Sequence, residues 1–182
     1  MPSVRFSALV FGALALGLGA GAAALFLVGG DSATATSTRR QQPQPVSGPQ
    51  LRLSGTDVRT GEETGLGAFE GKPVVLVVWA SWCRACTAQA EPLQAFVGKH
   101  EDTAFLAVDT QEGAEAAQAF LAHTGLDIPT LADPDGRLAA KAGVRELPTT
   151  FFLTPAHRVA SMWEGPAQPG RLRAGLALAE AG

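Results

Sequence analysis

The chain has 182 residues, 46% of them hydrophobic, and a formal net charge of −3. That is enough for one domain with a proper core plus a further segment, and too apolar for a disordered chain. The slight acidity gives no electrostatic footprint for nucleic acid, and two cysteines exclude a disulfide-dense scaffold.

From Phe6 to Val28 run 23 residues without a charge, enough to cross a bilayer as a helix and longer than the h-region of an ordinary signal peptide. Residues 1–30 are therefore expected to form an N-terminal anchor. Arg5 precedes the run and Asp31 comes after it, which places the N-terminus in the cytoplasm and the remainder outside, although Arg39 and Arg40 weaken the asymmetry. A signal peptide cleaved near Ala33-Thr34-Ala35 is the alternative, and either version exports the C-terminal part of the chain. Residues 31–50 are rich in Ser, Thr, Gln and Pro and are expected to be a flexible linker, leaving 51–182 as the folded domain.

Leu51, Leu53 and Val58 around Gly55 suggest a first hairpin, and Thr64 to Phe69 a turn. Val74 to Trp79 (VVLVVW) is an unbroken run of strand formers, as expected of a strand buried on both faces of a parallel or mixed sheet. Ala80 and Ser81 break the run, and helix formers begin at Cys83. The chain's two cysteines, Cys83 and Cys86, thus fall where a strand hands over to a helix. Unpaired N–H groups and the helix dipole stabilise an anion there, so the Cys83 thiol should ionise readily, with Arg84 as a neighbouring cation. Cys86 sits one turn further along the same face and is expected to be the more buried of the two. The geometry suits thiol–disulfide exchange, with Cys83 attacking and Cys86 resolving. A zinc site would need about four ligands, and neither more cysteines nor a suitable histidine spacing is present. A purely structural bridge remains open, but a loop this short gives little entropic stabilisation.

Beyond the first helix, Thr103 to Val108 reads as a strand, Glu112 to Thr124 as a helix closed by Gly125, and Ile128 to Leu131 as a brief extended segment. Asp133-Pro134-Asp135-Gly136 is a turn, and Arg137 to Ala142 a short helix ended by Gly143. Thr149 to Leu153 and Arg158 to Trp163 form an antiparallel hairpin, and Gly170 to Ala181 a last helix. The whole is an α/β fold, a central mixed sheet flanked by helices. Trp79 is expected in the core; Trp163 has no evident assignment; His100, His123 and His157 are expected at the surface, and no metal site or cofactor is expected.

Trp79-Ala80-Ser81-Trp82-Cys83-Arg84-Ala85-Cys86, Val108-Asp109, Asp133 to Arg137 and Gly143 to Leu153 together resemble the thioredoxin-like proteins of the TlpA/ResA (DsbE-like) type, over essentially all of 51–182. The resemblance implies a membrane-tethered, extracytoplasmic thiol–disulfide oxidoreductase of a bacterial cell membrane, expected to be a monomer. Its implied direction is reduction of protein disulfides, with apocytochrome c or a copper-site protein as substrate and a membrane electron donor. A disulfide-forming oxidase and a copper-handling chaperone of the same fold are the alternatives. Carried over, Pro148 would come after a cis peptide bond against the cysteine pair, Leu147 and Pro148 would bind substrate, and Trp82 would wall the reactive thiol. Two departures stand out. Thioredoxin's buried aspartate is Val77 here, and the glutamate expected three residues after the second cysteine is Gln89, with Pro92 one residue late. Glu91 is the remaining candidate proton acceptor for Cys86, yet five residues place it about 140° away around an ideal helix.

Overall fold

The computed structural model describes Gln44, Pro45 and residues 48–182. The expected anchor over 1–30 and most of the linker lie outside the described residues; among those described, no helix is long and apolar enough to cross a membrane. The strands are β1 (Gln44–Pro45), β2 (Ser54–Thr56), β3 (Glu63–Gly65), β4 (Val74–Trp79), β5 (Ala104–Thr110), β6 (Thr130–Asp133), β7 (Thr149–Leu153) and β8 (Val159–Glu164). The helices are α1 (Arg84–Val97), α2 (Ala114–Thr124), α3 (Arg137–Ala142) and α4 (Pro169–Glu180), with a 3-10 turn over Leu66–Phe69.

One mixed sheet runs in the order β1-β8-β7-β4-β5-β6, and β2 and β3 form a separate hairpin. β4 is central: β5 lies parallel to it on one side and β7 antiparallel on the other. Every residue of β4 and β5 is buried, because helices or loops cover both faces of the sheet. Alternation along β4 divides its side chains between two cores. Val75, Val77 and Trp79 pack with Leu93 and Phe96 of α1, Phe120 of α2 and Leu172 and Leu176 of α4. Val74, Leu76 and Val78 pack on the other side with Leu51, Leu53, Leu66 and Ala139. Trp79 stacks on Phe120 with ring centroids 4.3 Å apart. Each such side chain removed from water contributes about 1.5–3 kcal/mol, so the central strand anchors both cores.

Several elements differ from expectation for local reasons. The stretch read as linker already joins the sheet at Gln44–Pro45, paired with Met162 and Ser161 on β8, and at Gln50, bridged to Arg158. β6 falls two residues late, at Thr130–Asp133, because it pairs with Ala107–Thr110 of β5. α2 begins at Ala114 rather than Glu112, since Glu112 turns back towards Ser81. His157, expected at the surface, is 6% exposed. Its ring nitrogen Nε2 lies 3.2 Å from the Phe69 carbonyl oxygen, and its φ of 56° fits the tight turn joining β7 to β8. His100 is half-buried against Phe96, and His123 is exposed. Trp163 acquires an assignment: the Arg171 guanidinium lies 3.3 Å above its ring centroid, a cation–π contact between β8 and α4.

Candidate functional site

β4 ends at Trp79, and the chain makes a sharp turn through Ala80, Ser81 and Trp82 before α1 starts at Arg84. The Cys83 amide donates to the Ala80 carbonyl at 3.2 Å, closing that turn. Cys83 is the N-cap of α1, and its sulfur accepts from the Cys86 amide at 3.1 Å. Cys83 and Cys86 are joined in a disulfide with their Cα atoms 5.2 Å apart. In this form Cys83 is 7% exposed and Cys86 4%. The difference expected between them is therefore small, because the bridge tucks both sulfurs against the helix.

The bridge opens onto a groove of about 480 Å³. Trp82, Cys83, Arg84 and Ala85 form one wall and Val144 to Leu147 the other, with Thr110 and Gln111 contributing from the end of β5. Trp82 is 57% exposed, the large apolar side chain most open to solvent among the described residues. Arg84 and Arg145, both exposed, make no salt bridge among the described residues. On the inner side, a cavity of only about 10 Å³ is lined by Cys86, Val77, Trp79, Gln89, Phe120 and Pro148, among others.

Antiparallel pairing explains how Pro148 reaches this place. β7 begins opposite Val78, at the end of β4 from which the cysteines depart, so the residue before β7 meets the residues after β4. The Leu147–Pro148 peptide bond is cis. The fold thus brings together Trp82, Cys83, Cys86, Leu147 and Pro148. It does not bring Glu91 there: that side chain is exposed on α1 and is absent from the lining of the Cys86 cavity, and Pro92 continues the helix without turning it inward. Gln89 instead faces Cys86. It is 2% exposed, its Oε1 accepts from the Ala167 amide at 2.7 Å, and its Nε2 donates to the Thr150 hydroxyl at 3.5 Å.

Sequence reasoning missed the support beneath the turn. Both the amide and the hydroxyl of Ser81 donate to the Glu112 carboxylate. Burial works against the Glu112 charge, but a hydrogen bond with Asp109 and these two donors prevail, and its carboxyl is held below the usual range. Asp109 is the reverse case. It is the last residue but one of β5, is 0% exposed, and is pushed up to about 9 by burial first and then by Glu112 and Asp133. The available signal was a pair of acids three residues apart at a strand end, which periodicity alone assigns to a loop and a helix start.

Residues 47–162 match the AhpC/TSA family. The chain belongs to that family. Its central sheet and flanking helices are the thioredoxin-like α/β fold, in keeping with the resemblance drawn from the motifs. It is 30% identical over 108 residues to the thiol-disulfide oxidoreductase ResA of Bacillus subtilis, covering 58% of this chain and 60% of that one. It is 31% identical over 85 residues to the soluble secreted antigen MPT53 of Mycobacterium tuberculosis, covering 47% and 49%. The chain therefore spans about half to three-fifths of these curated relatives. Among solved structures, that of MTB dsbF in mixed oxidized and reduced forms superposes with a TM-score of 0.65 at 29% identity, covering 71% of this chain and 96% of the other.

Proposed function

We propose that this chain is an extracytoplasmic thiol–disulfide oxidoreductase that reduces protein disulfides through Cys83 and Cys86. The observation that carries this reading is the disulfide at the N-cap of α1, opening onto a groove that also holds Trp82 and Leu147.

In the dithiol form, the Cys83 thiolate is stabilised by the N–H groups that begin α1. It attacks one sulfur of a substrate disulfide, forming a mixed disulfide and expelling the other substrate sulfur as a thiolate, which takes a proton from water. Cys86 then loses its proton and attacks the Cys83 sulfur. The second substrate thiolate leaves, two electrons have passed to the substrate, and the enzyme is left as the disulfide observed here. An external dithiol donor restores the reduced pair. Leu147 and Pro148 form the platform on which the substrate chain lies, and Trp82 covers the exposed side of the reacting sulfur. The proton leaving Cys86 passes to water, since no other ionisable side chain among the described residues lines its cavity; Glu91 would serve only by a change of conformation.

The names of the relatives support exchange chemistry and, with the apolar run at 6–28, a location outside the cytoplasm; that the run tethers the chain and that the chain is a monomer belong to the same proposal. Apocytochrome c or copper-site thiols are the substrates this reading favours, with a membrane dithiol as donor. The test is the equilibrium reduction potential of the Cys83–Cys86 pair against glutathione. A value near or below about −230 mV supports reduction, whereas a value near −120 mV replaces it with disulfide formation.

A further inference from the structure

The acid pair behind the turn takes no part in the exchange chemistry, and its hydrogen bonding is incomplete in a telling way. Both carboxyl oxygens of Asp109 are buried, and neither receives a hydrogen bond from any N–H or O–H group among the described residues. A fully buried carboxylate without a single donor is prohibitively costly, so this group must carry a proton. A protonated carboxyl needs an acceptor in turn. Asp133, on the neighbouring strand β6, is already occupied: its oxygens accept from the Thr110 hydroxyl and the amides of Leu138 and Ala139. Glu112 is the acid whose oxygens, among the described residues, are otherwise engaged only by Ser81. Arg84, at the start of α1, lies exposed in the groove and forms no salt bridge among the described residues.

We propose that Asp109 and Glu112 share one proton, and that through its two bonds to Ser81 this pair makes Glu112 a positioning residue for Cys83. The shared proton keeps one negative charge, rather than two, under the turn. That single charge is aimed at the Ser81 amide and hydroxyl, which fixes the path from Trp79 to Cys83 and hence the angle at which the cap sulfur meets α1. The neighbouring backbone is arranged to hold the pair in place. Gln111, between the two acids, has a φ of 63°, a conformation a non-glycine residue keeps only when its surroundings impose it, and its amide donates to the Asp133 carbonyl at 2.9 Å.

The proposal rests on the exchange reading only for its rate measurement; a second measurement does not need that reading. In the oxidised full chain, where no thiol titrates, the Ser81 amide proton shift is followed by NMR from pH 3 to 10. Two steps are expected: one at acid pH as Glu112 gains a proton, and one near pH 9 as the shared proton is lost. Asp109→Asn should abolish the upper step. A flat Ser81 shift, or an upper step that survives Asp109→Asn, overturns the shared proton. For the rate, Cys83 alkylation by iodoacetamide is mapped by peptide analysis in reduced full chain and in Glu112→Gln, whose amide can accept only one of the two bonds. A drop of about tenfold near pH 7 and a displaced pH profile are expected, the size of one lost charge-assisted hydrogen bond. An unaltered profile, in protein that still melts cooperatively, overturns the positioning role. If wild type fails to exchange disulfides at all while both NMR steps appear, the function is wrong and the acid pair stands.

Discussion

Gln89 accepts a hydrogen bond from the Ala167 amide at 2.7 Å, which ties the helix carrying both cysteines to the loop that leads into α4. An amide is thus used as a structural cross-brace at the point where an acid would have served Cys86 as a base. Gln89→Glu keeps the brace, because the Ala167 amide and the Thr150 hydroxyl can both donate to a carboxylate. Burial would raise the new group's pKa towards neutrality. Resolution of a mixed disulfide with thionitrobenzoate should accelerate by about a hundredfold near pH 7, the lower end of general-base effects, at a stability cost of about 1–3 kcal/mol. An unchanged release rate would mean that proton removal does not limit the step.

Trp82→Ala should separate recognition from folding. The side chain is 57% exposed, so the melting midpoint should hardly move, as for most surface substitutions, which fall within about 0.5 kcal/mol. Reduction of a protein disulfide should lose about tenfold in kcat/KM, equivalent to about 1.4 kcal/mol, chiefly through KM. Equal losses on a small disulfide and a protein would argue against a wall for the substrate chain.

The pH dependence of stability should carry two opposite signatures. Asp109 is protonated in the folded chain up to about 9 but would ionise at its ordinary 3.8 once unfolded. Between those values the unfolded state holds fewer protons at this site, so stability falls as pH rises, by up to about 1.4 kcal/mol per unit. Asp109→Asn should flatten that slope in urea titrations across neutral and alkaline pH. Glu112 and Asp57 act in reverse. Burial opposes the Asp57 charge, but the amides of Thr130, Arg59 and Thr60 and the Arg59 cation hold its carboxyl low. Both groups stabilise above the ordinary carboxylate range, and that stability is lost as pH falls through their lowered folded values. Chemical unfolding of Asp57→Asn should accordingly show a shallower loss on acidification.

Gly175 tests how tightly α4 sits on the sheet. A Cβ there would come within 2.3–2.5 Å of the Phe152 ring in β7. Phe152 is 0% exposed and has nowhere to move, so Gly175→Ala should cost about 1–3 kcal/mol through overpacking despite the better helix propensity of alanine. Thermal denaturation would register this as a lower midpoint, with little change in exchange rate at low temperature.

The elements that announce themselves in the sequence are those decided by local chemistry. The VVLVVW run could only be a strand covered on both faces, and Gly125 and Gly143 mark their helix ends through left-handed φ values of 68° and 79°. Cys83 and Cys86 were legible because the strand-to-helix boundary is itself local. Long-range pairing was not. β6 starts two residues late because β5 fixes its register, and His157 is buried because the Phe69 carbonyl, 88 positions away in sequence, closes over it. The same reason hid Glu112, whose partner Ser81 lies 31 residues earlier. A carboxylate at the head of a helix looks like ordinary favourable charge until the turn it grips is seen.

Cys83 is both the cap of α1 and one end of the disulfide, so electron affinity and folding are one quantity measured twice. Opening the bridge frees the cap sulfur to carry negative charge against the helix N-terminus, which strengthens the reduced fold and gives nothing to the unfolded chain. In a closed cycle, every 1.4 kcal/mol by which one redox form outlasts the other against urea moves the couple by about 30 mV. A pair more reducing than the same two cysteines in the unfolded chain must therefore be more robust oxidised than reduced, with the rest of the sheet and helices offsetting the preference of its own cap. Paired unfolding curves would give, without any redox buffer, how far folding shifts the couple from the potential of the unfolded pair.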